Sequence, residues 1–216
     1  MARHLLITRP EHDYATRYLS TWAEKFFDLV KEKDFSIIDL YRQRANRQEV
    51  ESVIEKRDPC FVVVNGHGSD NLVAGHEDEP LLAANDNSFL LKGKITYAIS
   101  CRSARVLGQE VGQYADTAYI GYQDDFILLY LEKHRTRPLE DKLAELFLNP
   151  SNLVVTTLLK GHCAKESVLR ARQEFLRNIQ KLLTSETKAD DSSALRYLVW
   201  DMRNLVLCGQ GDKQLS

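Results

Sequence analysis

CFVVVNGHGS, residues 60–69, is an apolar run that ends in a turn built around a histidine. Its residues are mostly β-branched or aromatic, and they are apolar without a break rather than at alternate positions. This pattern is typical of a parallel strand that is covered on both faces. A second such run, ITYAIS at residues 95–100, is followed at once by Cys101. The two stretches predict buried strands that each end beside a reactive side chain, His67 in the first and Cys101 in the second.

Three more apolar runs, with helical patterns between them, extend this interpretation to most of the first part of the chain. The further runs are residues 4–8, 35–40 and 117–121. Apolar residues recur at helical spacing over residues 15–30, 47–57 and 104–114. Alternation of strands and helices favours right-handed crossovers between parallel strands. The predicted fold class is α/β, with a mostly parallel sheet and helices on both of its faces.

The last third of the chain changes to helical stripes of apolar residues. They predict helices over residues 139–147, 168–183 and 195–206. Residues 152–159 fit either a sixth strand or the first turns of a helix, and the polar residues 184–193 predict a loop. We therefore predict an α/β domain over residues 1–130 and a helical region over residues 131–216 that packs on the same core.

The composition limits the classes of function. Of 216 residues, 44% are hydrophobic and 28% are charged, which is ordinary for a globular chain with a filled core. A net charge of -2 gives no basic excess, so no direct nucleic-acid binding is expected. Four widely spaced cysteines without a C-x-x-C pair disfavour disulfides and a structural zinc site, and we expect no metal or cofactor. No run approaches the length of a signal peptide or a membrane span, so we predict a cytoplasmic protein without membrane contact.

His67 and Cys101 have the residue types and the placement that nucleophilic catalysis needs. If their strands are neighbours, the strand ends lie about 5 Å apart, which brings imidazole and thiol into one crevice. A thiol with a pKa of about 8.5 needs a nearby base to lose its proton at neutral pH. A helix predicted to begin near Arg102 would favour the thiolate through its N-terminal dipole. The backbone N–H groups of Gly68 and Cys101 are the candidates for an oxyanion hole.

These residues resemble those of the caspase-like superfamily of cysteine peptidases (clan CD). The resemblance rests on VVVNGHGS around His67, on ITYAISCRSA around Cys101 and on ADTAYIGYQDD at residues 115–125, and it covers about residues 1–125. It implies that His67 is the general base or acid, that Cys101 is the nucleophile and that Gly68 helps to form the oxyanion hole. The caspase signature Q-A-C-[RQG]-G does not occur around Cys101. The chain is therefore more similar to the bacterial CHAT and gingipain-like branches than to animal caspases.

The resemblance implies a cysteine endopeptidase that acts on a protein or peptide substrate. Gingipain-like and separase-like relatives prefer a basic residue at P1, a preference that an acidic side chain near the dyad would serve. The candidates are Asp70, Asp124 and Asp125, although the last two fit a helix cap or a solvent-facing position equally well. The resemblance also implies a regulated effector in bacterial signalling or defence, controlled by a regulatory protein partner.

Other functions and one other site stay open on the sequence alone. A catalytically inactive caspase-like module would bind a protein partner through its helical region. A flavodoxin-like nucleotide-binding protein would need a glycine-rich loop after the first strand, and residues 8–12 supply none. The long connection over residues 65–94, with a helical turn expected at 80–84, contains His76 among acidic residues. That cluster fits either a site for a divalent cation or a solvated loop.

Overall fold

The computed structural model describes residues 3–184 and 189–215 of the chain. In chain order its strands are β1 (Arg3–Arg9), β2 (Phe35–Tyr41), β3 (Phe61–Asn65), β4 (Leu72–Ala74), β5 (Pro80–Ala83), β6 (Ile95–Ile99), β7 (Ala118–Tyr122) and β8 (Leu205–Gly209). β4 and β5 form a separate hairpin, and the other strands form one sheet in the order β2-β1-β3-β6-β7-β8. The sheet is therefore the centre of the described structure.

Neighbouring strands of this sheet run parallel except for the last pair, in which β8 runs antiparallel to β7. The predicted α/β class is confirmed, and each of the five apolar runs forms one of the parallel strands. The prediction that residues 205 and 206 end the last helix is wrong, because they begin β8. Their stretch, LVLCG, binds the free edge of β7, whose backbone groups would otherwise lack partners.

Helices cover both faces of the sheet. They are α1 (Tyr14–Ala23), α2 (Phe27–Glu32), α3 (Arg47–Arg57), α4 (Leu107–Gly112), α5 (Lys142–Leu159), α6 (Ala164–Thr184) and α7 (Ala189–Asn204). Phe61 and Val63 of β3 pack with apolar side chains of α1, α2, α5, α6 and α7, whereas Val62 and Val64 pack with those of α3 and α4. Because successive side chains of a strand point to opposite faces, β3 is buried on both sides, as its unbroken apolar pattern predicts.

The first predicted helix is divided in the structure. Residues 15–30 were expected to form one helix, and they form α1 and α2 with a 3₁₀ turn (Glu24–Phe26) between them. α1 begins after Asp13, whose carboxylate accepts a hydrogen bond from the Thr16 N–H at 2.8 Å. This N-cap fixes the start of the helix just beyond the end of β1. α3 has the predicted bounds.

The helix after β6 begins later than the sequence predicts. Residues 101–106 form turns, and α4 begins at Leu107. Arg102 has a φ of 54°, in the left-handed region, and its N–H donates to the Asp124 carbonyl at 3.1 Å. A right-handed helix cannot contain this conformation. The prediction that a helix begins near Arg102, and with it the dipole support for a thiolate, is therefore wrong.

The C-terminal helices pack on the face of the sheet that also carries α1. Residues 152–159 are helical rather than a strand, but they form the last turns of α5 and not the first turns of the helix that follows. Buried residues of α5, α6 and α7, including Phe147, Phe175 and Leu198, belong to the same core cluster as Leu5 of β1. Part of the predicted loop over 184–193, residues 185–188, lies outside the described residues, and residues 189–193 belong to α7 rather than to a loop.

The long connection between β3 and β6 carries the antiparallel hairpin of β4 and β5. The helical turn expected at residues 80–84 is wrong, because Pro80 begins β5. Proline is tolerated at the first position of a strand, where its missing N–H costs little. Leu81 and Leu82 of β5 are both buried against the α3 side of the sheet. The hairpin closes over the turn after β3 through a bridge between Gly68 and Val73.

Candidate active site

The carboxyl ends of β3 and β6 carry His67 and Cys101 in adjacent turns. Asn65 of β3 is in register with Ile99 of β6, and each site residue lies just beyond its strand. The hydroxyl of Ser100 donates a hydrogen bond to the His67 carbonyl at 2.7 Å, which ties the two turns together. His67 and Cys101 line the same cavity, whose volume is 280 Å³.

The wall of this cavity is mostly apolar. It comes from the start of α1, from the end of β6 and from the segment that follows β7. The apolar lining residues are Ala15, Leu19, Ile99, Phe126, Ile127 and Leu128, and Thr16, Gly66 and Ser100 complete the lining together with the two site residues. In the part of the chain that the structure describes, no acidic side chain lines it. Its volume suits one substrate side chain rather than a large cofactor.

Asp13, the N-cap residue of α1, orients His67. Its Oδ2 lies 2.5 Å from Nε2 of His67. Burial acts to raise the pKa of the Asp13 carboxyl, but hydrogen bonds from Thr16 and His67 outweigh it, so this pKa is lowered. An ionised carboxylate only accepts hydrogen bonds, so the proton of a neutral His67 ring lies on Nε2 and its lone pair lies on Nδ1.

The sequence predictions missed Asp13. It stands 54 positions before His67, and only the parallel pairing of β1 with β3 brings the two side chains together. The one local signal is the helix-capping pattern D-x-x-T over residues 13–16, which indicates a cap and not a catalytic partner.

A cluster of imidazole rings adjoins His67. The ring centroid of His12 lies 5.7 Å from that of His67 and 5.4 Å from that of His76, both at edge-to-face angles. Nε2 of His12 lies 3.3 Å from Oδ1 of Asp78, an acidic residue of the loop that the sequence singled out. Metal-binding atoms of His12, His67 and Asp78 all lie within 4.8 Å of one another, so these three side chains could hold an ion.

Cys101 has a less polar environment than His67. Its thiol donates to the Phe126 carbonyl across 3.8 Å. Burial raises the pKa of this thiol, and the neighbouring carboxylate of Asp125 acts in the same direction. The thiol is therefore protonated at neutral pH, which is the opposite of the stabilised thiolate expected from the sequence.

Gly68 joins the turn of His67 to the turn of Cys101 by close packing. A Cβ atom at this position would lie 2.1 Å from Oγ of Ser100 and 2.9 Å from the carbonyl oxygen of Cys101. In the bridge to Val73, the Ser69 N–H donates to the Leu72 carbonyl and the His67 carbonyl accepts from the Ala74 N–H. Among the described residues, no acceptor binds the N–H of Gly68 or the N–H of Cys101. Of the two residues, Cys101 lines the cavity and Gly68 does not.

The three aspartates predicted to bind a basic P1 side chain contact arginines of the chain itself. Asp125 lies 3.1 Å from Arg102, and Asp124 lies 3.0 Å from Arg105. Asp70 lies 3.6 Å from both arginines. The left-handed turn after Cys101, and not a helix, brings the two arginines to these carboxylates. None of the three aspartates lines the cavity.

A buried acid stands behind the cavity wall. Asp201 of α7 is fully buried, and its Oδ1 accepts a hydrogen bond from the Ile127 N–H at 3.0 Å. Its Oδ2 has no hydrogen-bond partner in the described structure. Burial raises the pKa of Asp201 well above its usual range. The sequence predictions missed this residue as well, although an acid among the apolar residues of a helix is a local signal of a buried carboxyl group.

Comparison with known proteins shows which solved structures share the fold of this chain. No protein-family model matches the chain, and no curated protein matches it in sequence. Its full length aligns with the crystal structure of the Arg-specific cysteine proteinase gingipain R (RgpB), at a TM-score of 0.59 and 10% identity. It also aligns with the complex of Porphyromonas gingivalis RgpB pro- and mature domains, at a TM-score of 0.58 and 8% identity. The chain has a gingipain-like fold. A third structure, described as a protease, matches at a TM-score of 0.51 and 16% identity.

This likeness shows the fold alone, so membership of the caspase-like superfamily and of its CHAT-type branch stays a prediction. The chain spans 48% of the length of each matched structure, so the likeness concerns about half of those proteins. Within residues 3–184 and 189–215, the chain has no helix that is both long and apolar enough to cross a membrane. The predicted cytoplasmic location stays a prediction.

Proposed function

We propose that this chain is a cysteine peptidase in which Cys101 is the nucleophile and His67 is the general base and acid. The observation that carries the proposal is that both side chains line one cavity at the carboxyl edge of two adjacent parallel strands. Open α/β sheets bind their ligands at this edge. The fold adds support, because two of the matched structures are of the Arg-specific cysteine proteinase RgpB.

The raised pKa of Cys101 determines how the reaction begins. Since a protonated thiol is a poor nucleophile, His67 takes the thiol proton as the bond from Sγ to the carbonyl carbon forms. The imidazolium then gives this proton to the leaving amine as the C–N bond breaks, which leaves a thioester on Cys101. Water, deprotonated by His67, hydrolyses the thioester, and the proton returns to the thiol.

Asp13 and two backbone amides complete the proposed machinery. Asp13 accepts from Nε2 of His67, so it holds the ring in the tautomer whose Nδ1 can take a proton, and it stabilises the imidazolium. The unpaired N–H groups of Gly68 and Cys101 would donate to the oxygen that becomes negatively charged in the tetrahedral intermediate. The role of Gly68 is the one that the sequence resemblance implies, and the role of the Cys101 N–H is the one expected from its place in the sequence.

The preference for a basic P1 residue is the finer part of the proposal. Its support is the set of carboxylates next to the Cys101 turn: Asp70, Asp124 and Asp125. A substrate arginine or lysine would have to share these carboxylates with the two arginines that already contact them. The apolar lining of the cavity favours an apolar P1 side chain instead. Probes that differ only at P1 separate the two preferences.

The test is covalent labelling with two peptidyl acyloxymethyl ketones, one with arginine and one with leucine at P1. We expect one label per chain on Cys101, and no label in Cys101→Ala or His67→Ala. Cys163→Ala is the matched control, because Cys163 is a half-buried free thiol outside the cavity, and this variant should react like the wild type. Faster reaction of the arginine probe supports recognition by the aspartates, and faster reaction of the leucine probe refutes it.

The competing function is an inactive caspase-like module that binds a protein partner. The observation that favours it is the burial of the Cys101 thiol, which raises the pKa of this thiol. Under this alternative, neither probe labels the folded chain at any pH between 6 and 9, although circular dichroism shows a native fold. That result would refute the peptidase proposal and would leave the assignment of the fold unchanged.

A further inference from the structure

We propose that His12, His67 and Asp78 form a Zn²⁺ site and that zinc bound there switches the peptidase off. The metal-binding part of this inference rests on the three side chains alone. Its regulatory part rests on the function proposed above. The sequence drew attention to the loop of Asp78 as a possible cation site, and the structure joins this loop to two histidines that stand far from it in the chain.

The distances fit a small tetrahedral site. Zinc binds imidazole nitrogen and carboxylate oxygen at about 2.0–2.2 Å, so two ligands of a tetrahedron lie about 3.3–3.6 Å apart. Nε2 of His12 and Oδ1 of Asp78 are already 3.3 Å apart. The metal-binding atom of His67 lies within 4.8 Å of both, so it needs to approach by about 1 Å. A side chain that is 42% exposed has the freedom for this movement.

His12 is the residue that this site explains best. Its side chain is only 15% exposed, and both of its ring nitrogens are buried without a hydrogen-bond partner among the described residues. Buried polar atoms are normally paired, since an unpaired one loses its hydration without compensation. A metal ion between His12 and Asp78 would supply the missing partner for one of these nitrogens.

The donor set selects the kind of metal. Two imidazole nitrogens and one carboxylate oxygen suit zinc, with a water molecule as the fourth ligand. Calcium and magnesium prefer oxygen ligands, and only one of the three side chains supplies oxygen. The hard-cation site suggested by the acidic loop is therefore not the site that the structure supports. Asp78 is 63% exposed, so an ion can enter from solvent.

Asp13 has a supporting role in this site. It lies 2.5 Å from Nε2 of His67, in the arrangement by which carboxylates orient metal-binding histidines. Nε2 of His67 is then a donor, and the lone pair of the ring lies on the other nitrogen. A neutral imidazole has one basic lone pair. Zinc and the thiol proton of Cys101 compete for it, so His67 cannot act as the base while it holds the metal.

Zinc binding is tested without substrate, by calorimetry with Zn²⁺ and by the visible spectrum of bound Co²⁺. The full chain carries Cys101→Ala throughout, so that the thiol cannot be a ligand. We expect one zinc per chain and at least about a tenfold loss of affinity in His12→Ala and in Asp78→Asn, because even residues outside the ligand set contribute that much. Asp78→Asn changes an exposed side chain and keeps its shape, so it serves if His12→Ala fails to fold.

The matched control is His162→Ala. His162 lies 2.8 Å from Glu166, so it is also a histidine beside a carboxylate, but outside the cluster. This variant should bind zinc within about twofold of its parent. Absence of zinc binding, or equal affinities in all variants, would overturn the site.

The regulatory part is tested on chains that retain Cys101. Zinc should slow labelling by the better acyloxymethyl ketone, and chelation should restore it. In Asp78→Asn the zinc concentration needed should rise at least about tenfold when each variant is compared with its own metal-free rate. Equal inhibition of both chains would overturn the regulation. If no chain is labelled without metal, the peptidase proposal and the switch fail together, whereas calorimetry still decides the zinc site.

Discussion

His67 and Cys101 end neighbouring strands, but their surroundings differ in polarity. The side of His67 is polar, with Asp13 on one ring nitrogen and His12 against the ring. In the described structure, the thiol of Cys101 has only the Phe126 carbonyl as a hydrogen-bond partner beside the mostly apolar cavity wall, and burial raises the pKa of this thiol. Under the proposed function, the base would therefore be oriented in advance, and the nucleophile would stay neutral until a substrate arrives. This contrast favours proton transfer during attack over a resting thiolate–imidazolium pair.

The largest effect is expected where the two sides meet, at Gly68. In Gly68→Ala the new Cβ would overlap Oγ of Ser100 and press on the carbonyl of Cys101. If Ser100 moves away, it gives up its hydrogen bond to the His67 carbonyl. We expect labelling of Cys101 to fall at least about a hundredfold, because a shift of about 1 Å has that effect on catalytic geometry. The free energy of unfolding should fall by about 1–3 kcal/mol.

The control for this variant is Gly211→Ala. A Cβ there would meet its nearest neighbour at 3.4 Å, an ordinary contact distance. Its labelling rate should match that of the wild type. Wild-type labelling of Gly68→Ala would mean that the two turns move independently, which removes the physical link between the polar and apolar sides.

The next effect concerns the polar side alone. Asp13→Asn keeps a good helix cap but removes the charge that holds His67 in one tautomer. We expect the labelling rate to fall about 10- to 100-fold with little change in melting temperature. The loss should be smaller than the roughly 10⁴-fold known for a fully buried triad, because Asp13 is 40% exposed. Glu166→Gln, which alters the carboxylate–histidine pair at His162 away from the cavity, is the matched control.

How far the sequence predicts this arrangement depends on which signals are local. β3 and β6 are predictable because parallel strands buried on both faces leave unbroken apolar runs, and the residues that follow such strands face a common edge. α3 is predictable for a similar reason, since its cap and its apolar face lie within one stretch. The positions of His67 and Cys101 follow from the signals of β3 and β6, because each residue comes just after one of these strands.

The remaining features depend on contacts between distant parts of the chain. The left-handed turn at Arg102 is held by the carbonyl of Asp124, which no short window of sequence reveals. β8 is a strand only because the edge of β7 is free to pair with it. Asp13 shows as a helix cap in the sequence and as a partner of His67 only in three dimensions. The polar half of the site is therefore the half that the sequence predicts less well.

A smaller effect tests whether the thiol of Cys101 is neutral. Because burial raises the pKa of Cys101, its alkylation by iodoacetamide at pH 7 should be severalfold slower than that of a free cysteine. The rate should still be rising above pH 8.5, which is about the ordinary pKa of a cysteine thiol. Peptide mass spectrometry gives the rate at each thiol, with Cys163 as an internal reference. A rate already at its maximum at pH 6–7 would show a thiolate–imidazolium pair and would remove the contrast between the two sides.

The smallest effect comes from the acid behind the apolar wall, Asp201. Its pKa is raised in the folded state, so above the unfolded pKa of about 3.9 the unfolded chain loses this proton more readily than the folded chain. The difference lowers the stability of the fold, and the loss grows as pH rises towards the folded pKa. Asp201→Asn removes this cost but keeps an oxygen for the Ile127 N–H. We expect a gain of about 1 kcal/mol in unfolding free energy at pH 7 that shrinks towards pH 4, measured by urea denaturation at both pH values.

Asp86→Asn is the control of opposite sign, because the hydrogen bond from Arg47 lowers the pKa of Asp86 and the variant should show no gain at neutral pH. A loss of stability in Asp201→Asn at pH 7 would instead mean that the carboxylate is ionised in the folded chain, and the wall beside Cys101 would then be charged rather than neutral.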